Sequence, residues 1–287
     1  MPAIPFVKYE STGNDFIVID NRKGVISEDL QNNRAFWARA CHRRFGIGAD
    51  GVLFLCKKAK FNFEMIYLNA DGARVEMCGN GSRALAHFAA TLRLNRGKNT
   101  MRFLSSGVEY QVKLVQGPQK NWPSIAFPPP NSVDQIDLMS FGYPRPYLFL
   151  NTGVPHTVFA LETLEELQQL ELGKAALPVR HSPLFPRGTN VNFLAIENDK
   201  IHLRTFERGV ENETYSCGTG AVAAACFYRM HFKKVQRAQL ITKGGPLLVS
   251  FIGEIPWLSG PTRAVFKGLL SLYVLYNKES FGIDCIV

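Results

Sequence analysis

Short apolar runs separated by polar turns recur along the chain and predict strands more often than helices. The first two runs are residues 6–10 and 15–20, with the turn Gly13-Asn14 between them. Further strands are predicted at 52–55, 63–68, 101–104, 108–115, 124–127, 147–151, 156–161, 190–196, 201–206, 247–252 and 263–266. Helical spacing occurs at about 27–46 and 163–172 and in two alanine-rich segments. Mixed strands with one central helix in each half predict an α+β fold.

Two stretches of the chain repeat each other. They are Cys78-Gly79-Asn80-Gly81 and Cys217-Gly218-Thr219-Gly220, and an alanine-rich run follows each. Because alanine favours helix and glycine favours a change of direction, each cysteine is predicted at a helix N-terminus. There the backbone N–H groups and the helix dipole favour a thiolate, and they can also hold a carboxylate. Thiols in such positions can have a pKa lowered from about 8.5 to roughly 3.5–7.5. The pair suggests one active site approached from two sides.

The repetition extends beyond the cysteines. Thr12-Gly13 matches Thr152-Gly153, and Asp50-Gly51 matches Asn190-Val191, with nearly the same separation that divides Cys78 from Cys217. We therefore predict two similar halves, residues 1–130 with Cys78 and residues 131–287 with Cys217. The proline-rich segment 128–132 is the predicted linker, since proline cannot join a central strand.

Composition is that of an ordinary globular protein, with 46% hydrophobic and 20% charged residues in 287. The N-terminus has no signal-peptide pattern, and no apolar stretch approaches the about 20 residues that cross a bilayer. A cytoplasmic location without membrane contact is therefore expected.

The cysteines are too sparse for a disulfide framework, and their spacing does not fit a zinc site, so no metal is predicted. Cys41, Cys56 and Cys226 lie in apolar or helical stretches and are predicted to be small buried hydrophobes. Cys285 carries no motif.

A formal net charge of +9 raises the question of nucleic-acid binding. The basic residues lie in short scattered clusters, such as those at 42–44, 57–60 and 233–237, and form no long stripe or known motif. Nucleic acid is therefore not an expected partner. The same charge is compatible with a mild field that attracts anionic substrates.

Eight segments in one order resemble the signature segments of diaminopimelate epimerase. They are Gly13-Asn14-Asp15-Phe16, Phe45-Gly46-Ile47-Gly48-Ala49-Asp50, Asn69-Ala70-Asp71-Gly72, Glu76-Met77-Cys78-Gly79-Asn80-Gly81, Pro155-His156, Asn190-Val191, Phe206-Glu207-Arg208-Gly209 and Cys217-Gly218-Thr219-Gly220. The resemblance implies two pseudo-symmetric domains, each a strand layer around a central helix, with the active site in the cleft between them. It implies an isomerase that interconverts LL- and meso-diaminopimelate for lysine and peptidoglycan precursor synthesis, with a homodimer as a possibility.

The resemblance also implies roles for single residues. Cys78 and Cys217 would be the acid/base pair that inverts the α-carbon, without pyridoxal phosphate or another cofactor. The substrate-binding residues would be Asn14, Asn69, Gly79, Asn80, Asn190, Glu207, Arg208, Gly218 and Thr219. His156 would support the thiols, as Glu207 also could. Taken singly, an asparagine beside a glycine is more often a turn former, and a lone histidine is more often only hydrogen-bonded.

Two positions depart from the resemblance: Gly51, where many family members have glutamine, and Val154, where many have asparagine. We therefore hypothesise a looser grip on the distal end of the substrate and tolerance of related amino acids. Three other functions stay open: a related racemase of the proline-racemase type, a thiol redox switch, and an amino-acid-binding protein without catalysis. A disulfide between Cys78 and Cys217 would abolish epimerase activity until it is reduced.

Overall fold

The computed structural model describes residues 3–115, 122–132, 136–143 and 146–271, and Cys285 lies outside this part. The helices are α1 Glu28–Gln31, α2 Arg34–Cys41, α3 Gly79–Thr91, α4 Leu164–Gln169, α5 Leu172–Arg180 and α6 Gly218–His231, with a 3-10 turn at Met139–Phe141. The strands are β1 Ala3–Ser11, β2 Asn14–Asp20, β3 Gly51–Cys56, β4 Phe63–Asn69, β5 Arg74–Val75, β6 Thr100–Ser105, β7 Val108–Val115, β8 Trp122–Ala126, β9 Asn131–Ser132, β10 Tyr147–Asn151, β11 Pro155–Ala160, β12 Asn190–Glu197, β13 Lys200–Glu207, β14 Asn212–Thr214, β15 Arg237–Thr242, β16 Gly245–Ile252, β17 Ile255–Ser259 and β18 Arg263–Ser271.

The described chain forms two compact units. Unit 1 contains residues 3–10, Asp15–Gln111 and 262–271, and unit 2 contains Ser11–Asn14 together with the described part of Val112–Pro261. In unit 1, β2 is parallel to β3, β3 is antiparallel to β4, and β4 is parallel to β6. Its core includes Trp37 and Phe54, whose ring centroids lie 5.0 Å apart.

Unit 2 repeats this order of pairing. β11 is parallel to β12, β12 is antiparallel to β13, and β13 is parallel to β15. Its core includes the stacked rings of Phe159 and Phe193. Phe16 lies opposite Gly51 in unit 1 as His156 lies opposite Asn190 in unit 2, so the sequence repeat is also a repeat of strand register. The register makes Gly51, not Asp50, the equivalent of Asn190, so the match of Asp50 with Asn190 was wrong by one residue.

The compact units do not follow a single cut in the chain. β18 pairs with β1 in unit 1, with Phe6 opposite Gly268, whereas β8 pairs with β17 in unit 2. The proline-rich segment 128–132 lies within unit 2, where Asn131 and Ser132 pair with β10. The division into 1–130 and 131–287 stays a prediction about the sequence repeat, because strand pairing brings distant segments into one unit.

Two helix predictions were wrong in extent. The helix expected over about 27–46 is two helices, because the Asn33 side chain accepts the N–H of Phe36 and starts α2 anew. The helix expected at 163–172 ends at Gln169 because Leu170 is extended, and a further helix, α5, follows. In the described ranges, none of the helices has the length and apolar character needed to cross a membrane.

An ion network in unit 1 fixes the start of β2. The Asp15 carboxylate accepts from Lys8 at 2.8 Å and from Arg43 at 2.8 and 3.0 Å, and Arg43 also binds Asp50 at 2.6 Å. The backbone N–H of Asp50 donates to Asp15 Oδ1 at 3.0 Å, and Lys8 also donates to the Gly48 carbonyl. Burial opposes ionisation of Asp15, but the Arg43 and Lys8 contacts outweigh it and lower the pKa of this carboxyl to about 2.

The network predicts a stability effect that depends on pH. Asp15→Asn should lower the free energy of unfolding at pH 7 by about 2–4 kcal/mol, because it leaves the buried Lys8 without its counter-charge. Since the folded-state pKa lies below the unfolded one, the difference should shrink as pH falls from about 4 towards about 2. Urea unfolding across this range measures it.

The matched control for this prediction is Asp20→Asn on the same strand. The partner of Asp20, Arg22, is more exposed than Lys8, so loss of the Asp20 carboxylate should change the free energy of unfolding by less than about 1 kcal/mol. Equal effects of the two substitutions at pH 7 would contradict the prediction.

Candidate active site

Cys78 is the N-cap of α3. Its backbone is extended, with φ −135° and ψ 119°, and its sulfur accepts the N–H of Gly81 at a distance of 3.4 Å. The Cys78 carbonyl accepts the N–H of Ser82 at 2.8 Å, which begins the helical ladder. The sulfur therefore takes the place that a serine or aspartate oxygen usually has at a helix start.

Cys217 has the same position at α6. Its sulfur accepts the N–H of Gly220 at 3.4 Å and lies 3.4 Å from the Thr219 hydroxyl oxygen. The predicted placement of both cysteines at helix N-termini is confirmed. A backbone N–H that donates to sulfur favours the thiolate over the thiol, and the positive end of the helix dipole acts in the same direction.

Glycine at the third helical position lets each helix approach the sheet closely. A Cβ atom at Gly220 would lie 2.6 Å from Asn192 Oδ1, and one at Gly81 would lie 3.1 Å from a methyl carbon of Leu53. Any larger residue at Gly220 would push the start of α6 away from β12. The Gly-x-Gly spacing after each cysteine therefore serves packing as well as the turn.

A polar cluster lies on β11, β12 and β13 beneath the start of α6. Asn192 donates through Nδ2 to the Thr157 carbonyl at 2.9 Å and to His156 Nδ1 at 3.1 Å, and its Oδ1 accepts from the Thr205 hydroxyl at 3.0 Å. The Thr157 carbonyl can only accept, so it fixes which way the Asn192 amide points. His156 Nδ1 is therefore the acceptor, and the proton of the neutral ring is on Nε2.

His156 is fully buried and uncharged at neutral pH. Its pKa is lowered to about 3, chiefly by burial and also by the positive charge of Arg208, while the Asn192 hydrogen bond opposes the shift. Its Nε2 has no hydrogen-bond partner among the described residues. This atom can donate to a ligand, but it is not a base near neutral pH.

The matching positions in unit 1 are apolar. Phe16, Leu53 and Tyr67 occupy the register places of His156, Asn192 and Thr205, and the rings of Phe16 and Tyr67 meet edge to face with centroids 6.0 Å apart. The two cysteines thus cap their helices in the same way, but the side chains beneath Cys217 are polar and those at the matching positions in unit 1 are apolar.

Asn190 holds the segment that carries Arg208. Its Nδ2 donates to the Pro155 carbonyl at 2.9 Å, and its Oδ1 accepts the N–H of Arg208 at 2.9 Å. The Arg208 guanidinium donates to the Arg187 carbonyl at 2.6 Å and is half-buried. Glu207, also half-buried, ends β13.

The remaining predicted site residues divide between the units. Unit 1 holds Asn69, exposed at the end of β4, and Gly79 and Asn80, buried in the first turn of α3. Unit 2 holds Asn14, together with Gly218 and Thr219 in the first turn of α6.

Sequence reasoning missed Asn192, although a signal was present. It lies two positions after Asn190 in a strand whose residues 190–195 are all buried, so both amides belong to the same face. A second amide in an otherwise buried run marks a position that needs a hydrogen-bond partner.

The other cysteines differ from the capping pair. Cys41 and Cys226 are buried, and burial raises the pKa of each thiol to about 12, which confirms that they behave as small hydrophobes. Cys56, which was predicted to be buried as well, is only half-buried, although burial still raises the pKa of its thiol. Within the described segments, no group of three or more His, Cys, Asp or Glu residues is placed to hold a metal ion.

Comparison with known proteins decides the family. The family model described as diaminopimelate epimerase matches residues 6–120 and 148–257. Proteins named diaminopimelate epimerase from Methanocella arvoryzae and Methanothrix thermoacetophila are each 37% identical to this chain. The alignments cover 93% and 97% of this chain and 97% and 100% of the relatives. The chain belongs to the diaminopimelate epimerase family. It is therefore an isomerase, as the resemblance implied.

Solved structures show the same fold at low sequence identity. A phenazine biosynthesis protein of the PhzF family from Bacillus anthracis superposes with a TM-score of 0.71 at 13% identity, covering 95% of this chain and 100% of that one. A hydroxyproline epimerase from Agrobacterium vitis gives 0.67 at 14% identity, covering 94% and 93%. The predicted two-domain α+β class of the diaminopimelate epimerase family is confirmed.

The hydrogen bonds of Asn192 to Thr157, His156 and Thr205 predict a single tautomer for His156. Nitrogen-15 NMR of the imidazole should show the neutral form with its proton on Nε2 from pH 8 down to about 4, because the folded-state pKa is about 3. His156→Gln assigns the signals, and Asn192→Leu, which copies the matching Leu53, should abolish the preference for one tautomer. An imidazolium signal that appears near pH 6.5 in the unaltered protein would contradict the prediction.

Proposed function

We propose that this chain interconverts LL- and meso-diaminopimelate without a cofactor, using Cys78 and Cys217 as the two bases. The observation that carries the proposal is the pair of helix N-caps, in which each cysteine sulfur accepts a backbone N–H at 3.4 Å. Relatives named for this activity match almost the whole chain and support the choice of substrate. By the same reasoning, the reaction serves lysine and peptidoglycan precursor synthesis in the cytoplasm.

The chemistry needs one thiolate and one thiol. The thiolate removes the α-proton from one face of the substrate, and the bonding electrons remain on the α-carbon. The thiol then donates its proton to the opposite face, so that the first cysteine ends as a thiol and the second as a thiolate. Reversal of the reaction exchanges the two roles. The proposal therefore requires that both sulfurs reach the same α-carbon.

Negative charge that develops next to the α-carbon must also be stabilised. The first-turn N–H groups of α3 and α6 are suited to this, because the first N–H groups of a helix have no partner within the helix. Gly79 and Asn80 would supply them at α3, and Gly218 and Thr219 at α6. The lack of a side chain at Gly79 and Gly218 allows the substrate carboxylate to approach the backbone.

The other roles concern recognition. Arg208 is suited to a two-point grip on a carboxylate, and Asn190 holds its backbone in place through a 2.9 Å bond. Asn14, Asn69 and Glu207 would supply further polar contacts to the amino and carboxylate groups. His156 would act as a neutral donor through Nε2 and so support a thiolate or a substrate carboxylate.

The hypothesis of a looser grip on the substrate rests on Gly51 and Val154. A side chain at Gly51 would overlap the Leu68 carbonyl and lie 2.6 Å from the ring of Tyr67. The aromatic ring fills the space that a glutamine would need. An apolar surface in place of an amide would reduce discrimination at the distal end of the substrate.

The test is isotope exchange in deuterated water. Reduced protein with LL-diaminopimelate and no added cofactor should incorporate deuterium at the α-carbon as inversion proceeds, both followed by NMR. Cys78→Ser and Cys217→Ser should each lower the rate of inversion by about 10²–10⁴-fold. Cys226→Ser, a substitution of a buried cysteine in α6, should retain the parent rate. The same assay with glutamate tests the looser grip, and a lack of exchange there would overturn that hypothesis.

Inversion that survives at the parent rate in either active-site variant would overturn the two-base proposal, whereas exchange without inversion would not, because the remaining cysteine can still exchange the α-proton on its own face. A folded parent protein that shows no exchange with any diaminopimelate stereoisomer would overturn the proposed substrate.

We further infer a homodimer, because β18 exposes Val265, Phe266 and Leu269, which is 71% exposed. Sedimentation velocity should show twice the chain mass, and Leu269→Glu should shift the equilibrium towards the monomer. Val108→Glu on β7 is the matched control, since Val108 is also exposed but lies on another strand. A parent protein that sediments as a monomer at micromolar concentration would contradict the inference.

A further inference from the structure

Both repeated Thr-Gly turns contact the start of α6, one on each side of Cys217. The hydroxyl of Thr12 lies 2.7 Å from the hydroxyl of Ser216, the residue before Cys217. The hydroxyl of Thr152 donates to the carbonyl of Thr219, two residues after Cys217, at 3.0 Å. Thr12 and Thr152 are each only 1% exposed, so both bonds are made away from water.

The Thr12 contact is closed by a second hydrogen bond. The Ser216 hydroxyl donates to the Thr12 carbonyl at 2.9 Å, so the Ser216 oxygen is left to accept the proton of the Thr12 hydroxyl. Thr12 has φ +50°, a left-handed conformation that is rare for a β-branched residue. Such a conformation persists only where the surroundings impose it, and it is concentrated at functional sites.

Two glycines make room for this turn. A Cβ atom at Gly244 would overlap the Thr12 carbonyl, and one at Gly13, where φ is +85°, would lie 2.6 Å from Cβ of Tyr215. The turn is therefore packed directly against the segment that leads into Cys217. A displacement of Thr12 would displace Ser216 with it.

The Thr152 turn is equally constrained. The N–H of Thr152 donates to the Val154 carbonyl at 3.2 Å, and the N–H of Gly153 donates to the Asn151 side chain at 2.9 Å. The Thr152 hydroxyl thus joins a rigid turn to the first turn of α6. The two threonines thus hold the residues on both sides of Cys217.

We propose that Thr12, Thr152 and Ser216 form a clamp that positions the Cys217 sulfur for proton transfer. They are positioning residues, which act through the Ser216 hydroxyl and the Thr219 carbonyl. Their role in catalysis rests on the proposed function. Proton transfer to carbon depends steeply on the distance and direction of the base, so a helix start that shifts by about 1 Å can lower the rate by about 10²-fold.

The experiment removes each hydroxyl without a change of shape. Thr152→Val and Thr12→Val keep the branched side chain, Ser216→Ala removes the shared partner, and Thr152→Ser restores the Thr219 bond. The control is Thr262→Val, which removes a hydroxyl-to-carbonyl bond of the same 3.0 Å length, to Glu10 in unit 1. Thermal unfolding confirms that each variant is folded.

The first readout needs no substrate. Iodoacetamide labelling across a range of pH, resolved by mass spectrometry, gives separate rates for Cys78 and Cys217. Thr152→Val and Ser216→Ala should change the rate and pH profile of Cys217 by about threefold or more and leave Cys78 unchanged, because the lost hydrogen bonds hold only the α6 cap. Thr152→Ser and Thr262→Val should match the parent protein.

The second readout is epimerisation of diaminopimelate. The clamp variants should lower kcat by about tenfold or more with little change in KM, because the cysteine is misplaced and substrate binding is not. Equal changes in the labelling rates of both cysteines, or an unchanged labelling rate of Cys217 in every folded variant, would overturn the clamp proposal. A parent protein without epimerase activity would overturn the proposed function alone, since the labelling result stands without substrate.

Discussion

The structure depends on one local interaction that occurs twice: a cysteine sulfur that accepts a backbone N–H from the first turn of the helix it caps. At α3 and α6 this bond fixes the sulfur at the positive end of a helix dipole. Glycine two residues into each helix brings that end close to the strands behind it, and a Cβ atom at Gly220 would meet Asn192. Each sulfur is thus positioned by backbone geometry, which stays fixed when side chains move.

The two caps are alike, but their supports are not. Cys217 lies above the hydrogen-bonded cluster of His156, Asn192 and Thr205, whereas the register equivalents in unit 1 are the apolar Phe16, Leu53 and Tyr67. The proposed reaction does not need symmetric surroundings, because each thiol would only have to alternate between two protonation states. The polar support adds a buried donor, His156 Nε2, and Arg208 lies in the same unit.

Strand exchange explains why a repeated sequence does not give two independent halves. β18 belongs to the second repeat but pairs with β1, and β8 belongs to the first repeat but pairs with β17. Each unit is therefore completed by a strand from the other repeat. Such pairing ties the two repeats together, since neither has its full set of strands without the other.

The sequence alone determined most of the strand positions, although not, for example, β14, β15 and β17, together with both cysteine caps and the family, because alternation, Gly-x-Gly turns and alanine-rich helix starts are local properties of adjacent residues. Only the tertiary structure decided the break at Asn33, the strand exchange, the orientation of the Asn192 amide and the contacts of Thr12 with Ser216 and of Thr152 with Thr219. The physical reason is distance along the chain. A hydrogen bond between residues 12 and 216 leaves no periodic trace in either segment, and it exists only because folding brings them together.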